Sequence, residues 1–192
     1  MGRELVQISE LSTDEKKQIN ESVPYLPPEV SKFGTSGYCL PKDLDIDYIR
    51  HDMTIYPDDI WIVTPPKCGT TWMQEIVWLI HTDVDLKSAQ CNQFYRIPFL
   101  EECFILPSFL KLIPKPDFEL TEKNEENVQA FFAHSFDYVE SLQRPRIIKT
   151  HLPLELLPDK LLETCKVNQS ISISKISQWN SPIFCRFYGY SM

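Results

Sequence analysis

Apolar and polar positions along this chain change period several times, and each change predicts an element. "DIWIVT", Asp59 to Thr64, is a short unbroken apolar run with β-branched residues, bounded by "PDD" and "PP". That pattern predicts a buried strand. After a loop, Trp72, Met73, Ile76, Val77 and Ile80 recur at helical spacing and predict one face of a helix. A second stripe, Val128, Phe131, Phe132, Phe136, Val139 and Leu142, predicts a helix that Arg144-Pro145 ends. "RIIKTHL" then predicts a second buried strand, and "LELLPDKLLETC" a short leucine-rich helical piece. Near the N-terminus, Ser12 and Glu15 make a capping-box pattern that opens a short polar helix. The Pro- and Asp-rich stretch that follows reads as irregular with one short strand, and residues 82 to 120 as loop-rich with short helices.

The segment from 167 to 192 changes character. Ser and Ile dominate, charges become few, and Ile171, Ile173 and Ile176 hint at a half-buried strand where an α/β core would want a continuous apolar run. The sequence therefore divides at residue 166, with 167–192 a divergent tail outside the main design.

Composition narrows the classes. A chain of 192 residues with 43% hydrophobic content buries a core and suits a single domain. Its formal charge of -8 makes nucleic acid a poor partner. No run reaches the ~20 apolar residues of a membrane span and the first residues lack a signal-peptide core, so the expected setting is soluble and cytoplasmic. The six cysteines form no CxxC pair, which argues for reduced thiols and against a zinc knuckle or disulfide framework. No convincing metal cluster is present, and no metal is expected.

The chemistry concentrates in "TPPKCGTTW", residues 64 to 72, between the first strand and its helix. A strand-to-helix loop offers unpaired backbone N–H groups and the positive end of a helix dipole, which favour an anion. Lys67 adds a charge, Thr70 and Thr71 add hydroxyls, and Gly69 lets a ligand approach the backbone. GxxxxGK[ST] is absent because the lysine precedes the glycine, which disfavours an ordinary nucleotide triphosphatase. A cysteine-dependent phosphatase would want an arginine about six residues after Cys68, and position 74 is Gln. A plain turn with a helix cap stays open for the bare pattern. The second strand ends in Lys149, Thr150 and His151, which delivers a base and a cation to the same sheet edge. His51, His81 and His134 are read as structural.

Together these residues resemble the cytosolic sulfotransferases that use 3'-phosphoadenosine 5'-phosphosulfate (PAPS). "TPPKCGTTW" is similar to the family's 5'-phosphosulfate loop, "RIPFLE" (Arg96 to Glu101) to a stretch that lines the acceptor pocket, and "KTHLP" (Lys149 to Pro153) to the motif carrying the catalytic histidine. The resemblance covers about residues 30 to 166, roughly the first half of the family domain. It implies an α/β fold with a P-loop-like parallel sheet flanked by helices, here truncated. It further implies sulfuryl transfer from PAPS, as co-substrate, to a hydroxyl or amine of a small acceptor such as a phenol, steroid or other alcohol. By the same resemblance His151 is the general base, Lys67 and Lys149 stabilise charge, and Lys67, Cys68, Gly69, Thr70, Thr71 and Trp72 hold the cofactor. Arg96, Pro98, Phe99, Lys149 and His151 line the acceptor side.

Three departures qualify that picture. Pro65 and Cys68 replace the family's usual Tyr and Ser. Cys68, at a helix N-terminus beside Lys67, is expected to have a lowered thiol pKa and to react first, with a small buried cysteine as the alternative. Beyond Lys166 the family's 3'-phosphate site and homodimer segment are missing, which supports a noncatalytic fragment, such as a splice variant or retained-intron product, as the alternative function.

Overall fold

The computed structural model describes residues 5–22, 29–66, 68–105 and 135–165. Lys67, the helical-stripe residues Val128, Phe131 and Phe132, and the tail 167–192 lie outside the described residues.

The capping box forms as the sequence predicts. Ser12 N–H donates to Glu15 Oε2 at 2.9 Å, and Glu15 N–H donates back to Ser12 Oγ at 3.3 Å. This reciprocal pair opens α1, Thr13–Ser22. The expectation of one short strand in the stretch after this helix is corrected: among the described residues that stretch holds two, and a further strand precedes the helix. β1 (Ile8–Glu10), β2 (Val30–Phe33) and β3 (Tyr38–Pro41) form an antiparallel sheet in the order β1-β2-β3. Phe33 pairs with Tyr38 across a turn whose Gly34 and Gly37 have φ of 72° and 68°, a left-handed conformation that glycine adopts without a Cβ penalty. The sheet contributes Phe33 and Leu40 to the main core.

The two predicted buried strands form and pair in parallel. β4 (Ile60–Val63) meets β5 (Ile147–Thr150) in the register Ile60↔Ile147 through Val63↔Thr150. Side chains alternate between two cores. Trp61 and Ile148 enter the larger one, with Ile49, Leu100, Leu152 and Leu156, whereas Ile62 and Ile147 enter a smaller one with Ile97. Both faces are covered, which is why "IWIV" reads as a continuous apolar run. On the far edge of β5, Phe99 makes a parallel bridge to Lys149. At the N-terminal ends of the strands, Arg146 Nε donates to Asp59 Oδ1 at 2.9 Å and Nη2 donates to Oδ2 at 2.5 Å. Both side chains are fully buried, so this bidentate pair pins one strand start against the other.

α2 spans Thr70–His81, as the sequence predicts, but its buried face differs. Thr70 and Gln74 are buried, and Met73, Val77 and Trp78 pack on the smaller core. Trp72, Ile76 and Ile80 are 79%, 48% and 75% exposed. The helix carries two apolar stripes, and the inward one is chosen by hydrogen bonds: Thr70 reaches Thr64, and Gln74 Nε2 donates to the Ile97 carbonyl at 3.4 Å. Further on come a 3₁₀ turn at Ser88–Gln90, α3 (Gln93–Arg96) and α4 (Ser135–Ser141). The leucine-rich piece is a 3₁₀ turn at Leu154–Leu156 followed by α5 (Leu161–Thr164).

Candidate active site

Because β4 and β5 run parallel, their C-terminal ends deliver the Thr64 loop and His151 to one edge. Thr64 N–H donates to the Thr150 carbonyl at 3.3 Å, so the ladder extends one residue past β4. His151 Nδ1 then lies 2.6 Å from the Thr64 carbonyl oxygen. A carbonyl only accepts, so Nδ1 carries the proton. In the neutral ring this leaves Nε2 as the basic nitrogen. The Phe99 ring meets the imidazole edge-on, with centroids 5.1 Å apart. Lys149, half-buried and on the α2 side of β5, places Nζ 3.9 Å from the centre of the same Phe99 ring. Pro98 joins them through its carbonyl, which accepts from Lys149 N–H at 2.9 Å. The structure thus brings together His151, Lys149, Phe99 and Pro98 of the predicted acceptor side.

The loop beside them has the anion-binding form. Gly69 is the N-cap of α2 at φ 83°, and no side chain caps the helix there. By contrast, Asn92 caps α3 by accepting from Phe94 N–H at 3.0 Å. The first intrahelical bond is Met73 N–H to the Gly69 carbonyl at 3.1 Å. The N–H groups of the first turn are left for an anion by helix geometry. Among the described residues, a Cβ on Gly69 would meet no atom within 4 Å, so what calls for glycine there is its left-handed φ. The Thr70 hydroxyl is 2.5 Å from Thr64 Oγ1. Thr71 and Trp72 are exposed. These features fit the phosphate end of a nucleotide cofactor.

Two predicted residues sit differently from their expected chemistry. Burial pushes the Cys68 thiol above its ordinary 9.0, which corrects the expectation of a lowered thiol pKa. Arg96 is engaged on α2. Its Nη2 donates to Glu75 Oε1 at 2.7 Å, its Nε donates to the Cys91 carbonyl at 2.8 Å, and its guanidinium lies 5.0 Å from the Trp78 ring centre.

Three residues at the site were given no role of their own by the sequence reading. Thr64 was legible as the end of a strand and the first residue of the loop. Glu101 lies 1% exposed beside His151, and Glu102 is 3% exposed. Burial pushes Glu101 up to about 7 against the lowering pull of the His151 N–H and the Thr150 hydroxyl. Burial likewise pushes Glu102 up to about 7 against the nearby Lys149 charge. Among the described residues Glu102 Oε2 has no hydrogen-bond partner. Two consecutive acids in a loop-rich stretch carry no sequence signal of burial.

Comparison with known proteins places this geometry. Residues 57–169 match the family model of the sulfotransferase domain. The chain is 36% identical over 124 residues to luciferin sulfotransferase of Photinus pyralis, covering 62% of this chain and 31% of that protein. It is 31% identical over 141 residues to sulfotransferase 1A1 of Rattus norvegicus, covering 72% and 38% respectively. The chain spans about a third of the length of the curated relatives it matches. Among solved structures, retinol dehydratase in complex with retinol and PAP is similar at 26% identity and a TM-score of 0.69, covering 84% of this chain and 50% of that one. The same protein is also solved with androsterone and inactive cofactor PAP. A parallel β4–β5 pair, an uncapped loop-to-helix start and a histidine at the neighbouring strand end sit inside the matched residues, and the chain belongs to the sulfotransferase domain family.

Proposed function

We propose that this chain carries the phosphosulfate-end half of a PAPS-dependent sulfotransferase site, acting in the cytoplasm on a small-molecule acceptor. The observation that carries the reading is the 2.6 Å contact between His151 Nδ1 and the Thr64 carbonyl, which makes Nε2 the base. PAPS, when bound, supplies the sulfuryl group and a phosphate leaving group. The backbone of Cys68, Gly69, Thr70 and Thr71 at the uncapped start of α2 would hold the 5'-phosphate, and Trp72 would face the adenine end. By the family resemblance, Lys67 would stabilise the charge growing on the leaving phosphate and Lys149 that on the sulfuryl oxygens. His151 takes the acceptor's hydroxyl or amine proton at Nε2. Phe99 supplies an apolar wall, with Pro98 and Arg96 setting the backbone that carries it. The solved relative's complexes with retinol and with androsterone support a steroid or other alcohol as the acceptor, and the family resemblance adds a phenol.

Titration of the purified chain with 3'-phosphoadenosine 5'-phosphate tests the reading through the melting temperature. A rise at micromolar ligand supports it, because a ligand that binds only the folded state stabilises it by mass action. No rise at millimolar ligand would instead favour the alternative, a noncatalytic fragment without the 3'-phosphate site. That alternative rests on the divergence of residues 167–192 from the family's sequence. The division into 1–166 and 167–192 stands or falls by removing the tail: a chain ending at 166 that melts and binds as the full one does supports it.

A further inference from the structure

Pairing between the 98–100 segment and β5 makes one complete rung. Lys149 N–H donates to the Pro98 carbonyl and Leu100 N–H to the Lys149 carbonyl, each at 2.9 Å. The evenly spaced ladder of a parallel pair would next set His151 N–H on the Leu100 carbonyl. That carbonyl instead accepts from Ser135 Oγ at 2.6 Å. The chain turns at Glu101, with Glu102 N–H on the Phe99 carbonyl at 3.1 Å.

The side chain of Glu101 fills the missing rung. Oε1 accepts from His151 N–H at 2.7 Å, and Oε2 accepts from the Thr150 hydroxyl at 2.9 Å. Thr150 Oγ1 in turn accepts from Leu152 N–H at 3.0 Å. One carboxylate therefore fixes the backbone from 150 to 152 on the side of β5 opposite Thr64. A buried carboxyl is a costly substitute for a backbone carbonyl. It has two acceptor atoms, however, and a single carbonyl could not span the Thr150 hydroxyl and the His151 amide in this geometry.

We propose that Glu101 is a positioning residue for His151. It holds the histidine backbone where the ring reaches the Thr64 carbonyl, and so maintains the Nδ1–H form that leaves Nε2 basic. This rests on His151 being the general base, but its first test needs no turnover.

The test is ¹⁵N NMR at pH 8 of the full chain labelled at its four histidines, with the His151 signals assigned from His151→Gln. The wild-type ring is expected in a single Nδ1–H tautomer. Glu101→Met removes both acceptors and is expected to give a mixture of tautomers. Glu101→Gln keeps an oxygen for the His151 amide and is expected to restore the single form. If sulfuryl transfer is measurable, Glu101→Met lowers kcat about 100-fold, the scale of a small misplacement of a catalytic group. The melting shift with 3'-phosphoadenosine 5'-phosphate stays unchanged. A folded Glu101→Met chain with the wild-type tautomer overturns the proposal and leaves the functional reading standing. A fixed tautomer in the wild type, lost in Glu101→Met, without ligand binding or transfer does the reverse. Should Glu101→Met not fold, Thr150→Val carries the test: displaced His151 signals support the role, and unmoved ones overturn it.

Discussion

Replacing Glu102 with Gln tests the electrostatics of the site most directly. Glu102 is 3% exposed, one of its oxygens has no hydrogen-bond partner among the described residues, and burial raises its carboxyl from 4.5 to about 7. Below pH 4.5 the group is protonated in both the folded and unfolded chain. Between 4.5 and about 7 the folded chain keeps a proton that the unfolded chain releases, so stability falls as pH rises, and it levels off above 7. At 1.36 kcal/mol per pH unit the difference is about 3 kcal/mol in scale, and Glu101 adds a contribution of the same sign. Gln cannot ionise. It leaves an unpaired polar atom at every pH, a constant offset, so the informative quantity is how the mutant's advantage changes with pH. Urea unfolding of both chains at pH 4.5 and pH 8 is expected to show Glu102→Gln gaining about 3 kcal/mol relative to wild type across that interval. Glu10, Glu15, Asp58 and Asp85 have lowered carboxyl pKa values and titrate below this window. The difference between the two chains cancels the histidines. An advantage that is the same at both pH values would refute the reasoning.

Other outcomes follow from the same structure. Asp59→Asn leaves the buried Arg146 guanidinium without its countercharge and is expected to cost about 3 kcal/mol by denaturant melt, whereas a cost below about 1 would show that the pair does not pin the strands. Gly69→Ala meets no steric clash, so its cost is the left-handed backbone alone, about 1 to 2 kcal/mol in thermal unfolding; no measurable loss would mean that the loop relaxes out of that conformation. Partial labelling with a thiol reagent, read by mass spectrometry, is expected to mark the exposed Cys91 before the half-buried, raised-pKa Cys68, and the opposite order would restore Cys68 as a reactive thiol.

The parallel core was legible because burial on both faces leaves an unbroken apolar run, which no loop of this composition imitates. The cradle was legible for a related reason: a glycine between a strand and an amphipathic run needs few alternatives to be weighed. The face of α2 was not legible, since hydropathy counts Trp72, Ile76 and Ile80 as inward and cannot know that Thr70 and Gln74 find buried partners. The N-terminal sheet hid behind polar Ser31 and Lys32, although the glycines at 34 and 37 marked its turn. Arg96 and Cys68 show the limit of reading roles from residue type, because one found its anion on α2 and the other lost solvent. Glu101 shows it from the other side: its importance comes from a ladder rung that exists only after the chain has turned.

Thr64 makes three contacts that lead to three places. Its N–H goes to Thr150, its hydroxyl to Thr70 at the start of α2, and its carbonyl to the His151 ring. It behaves as a pivot shared by two levers. A rigid-body shift of the helix start drags the Thr64 hydroxyl, and a rotation of that residue swings the carbonyl on which the imidazole rests. In the proposed reading, the grip on an anion and the aim of the base therefore share one residue, and a shift of the first is passed to the second through Thr64 alone.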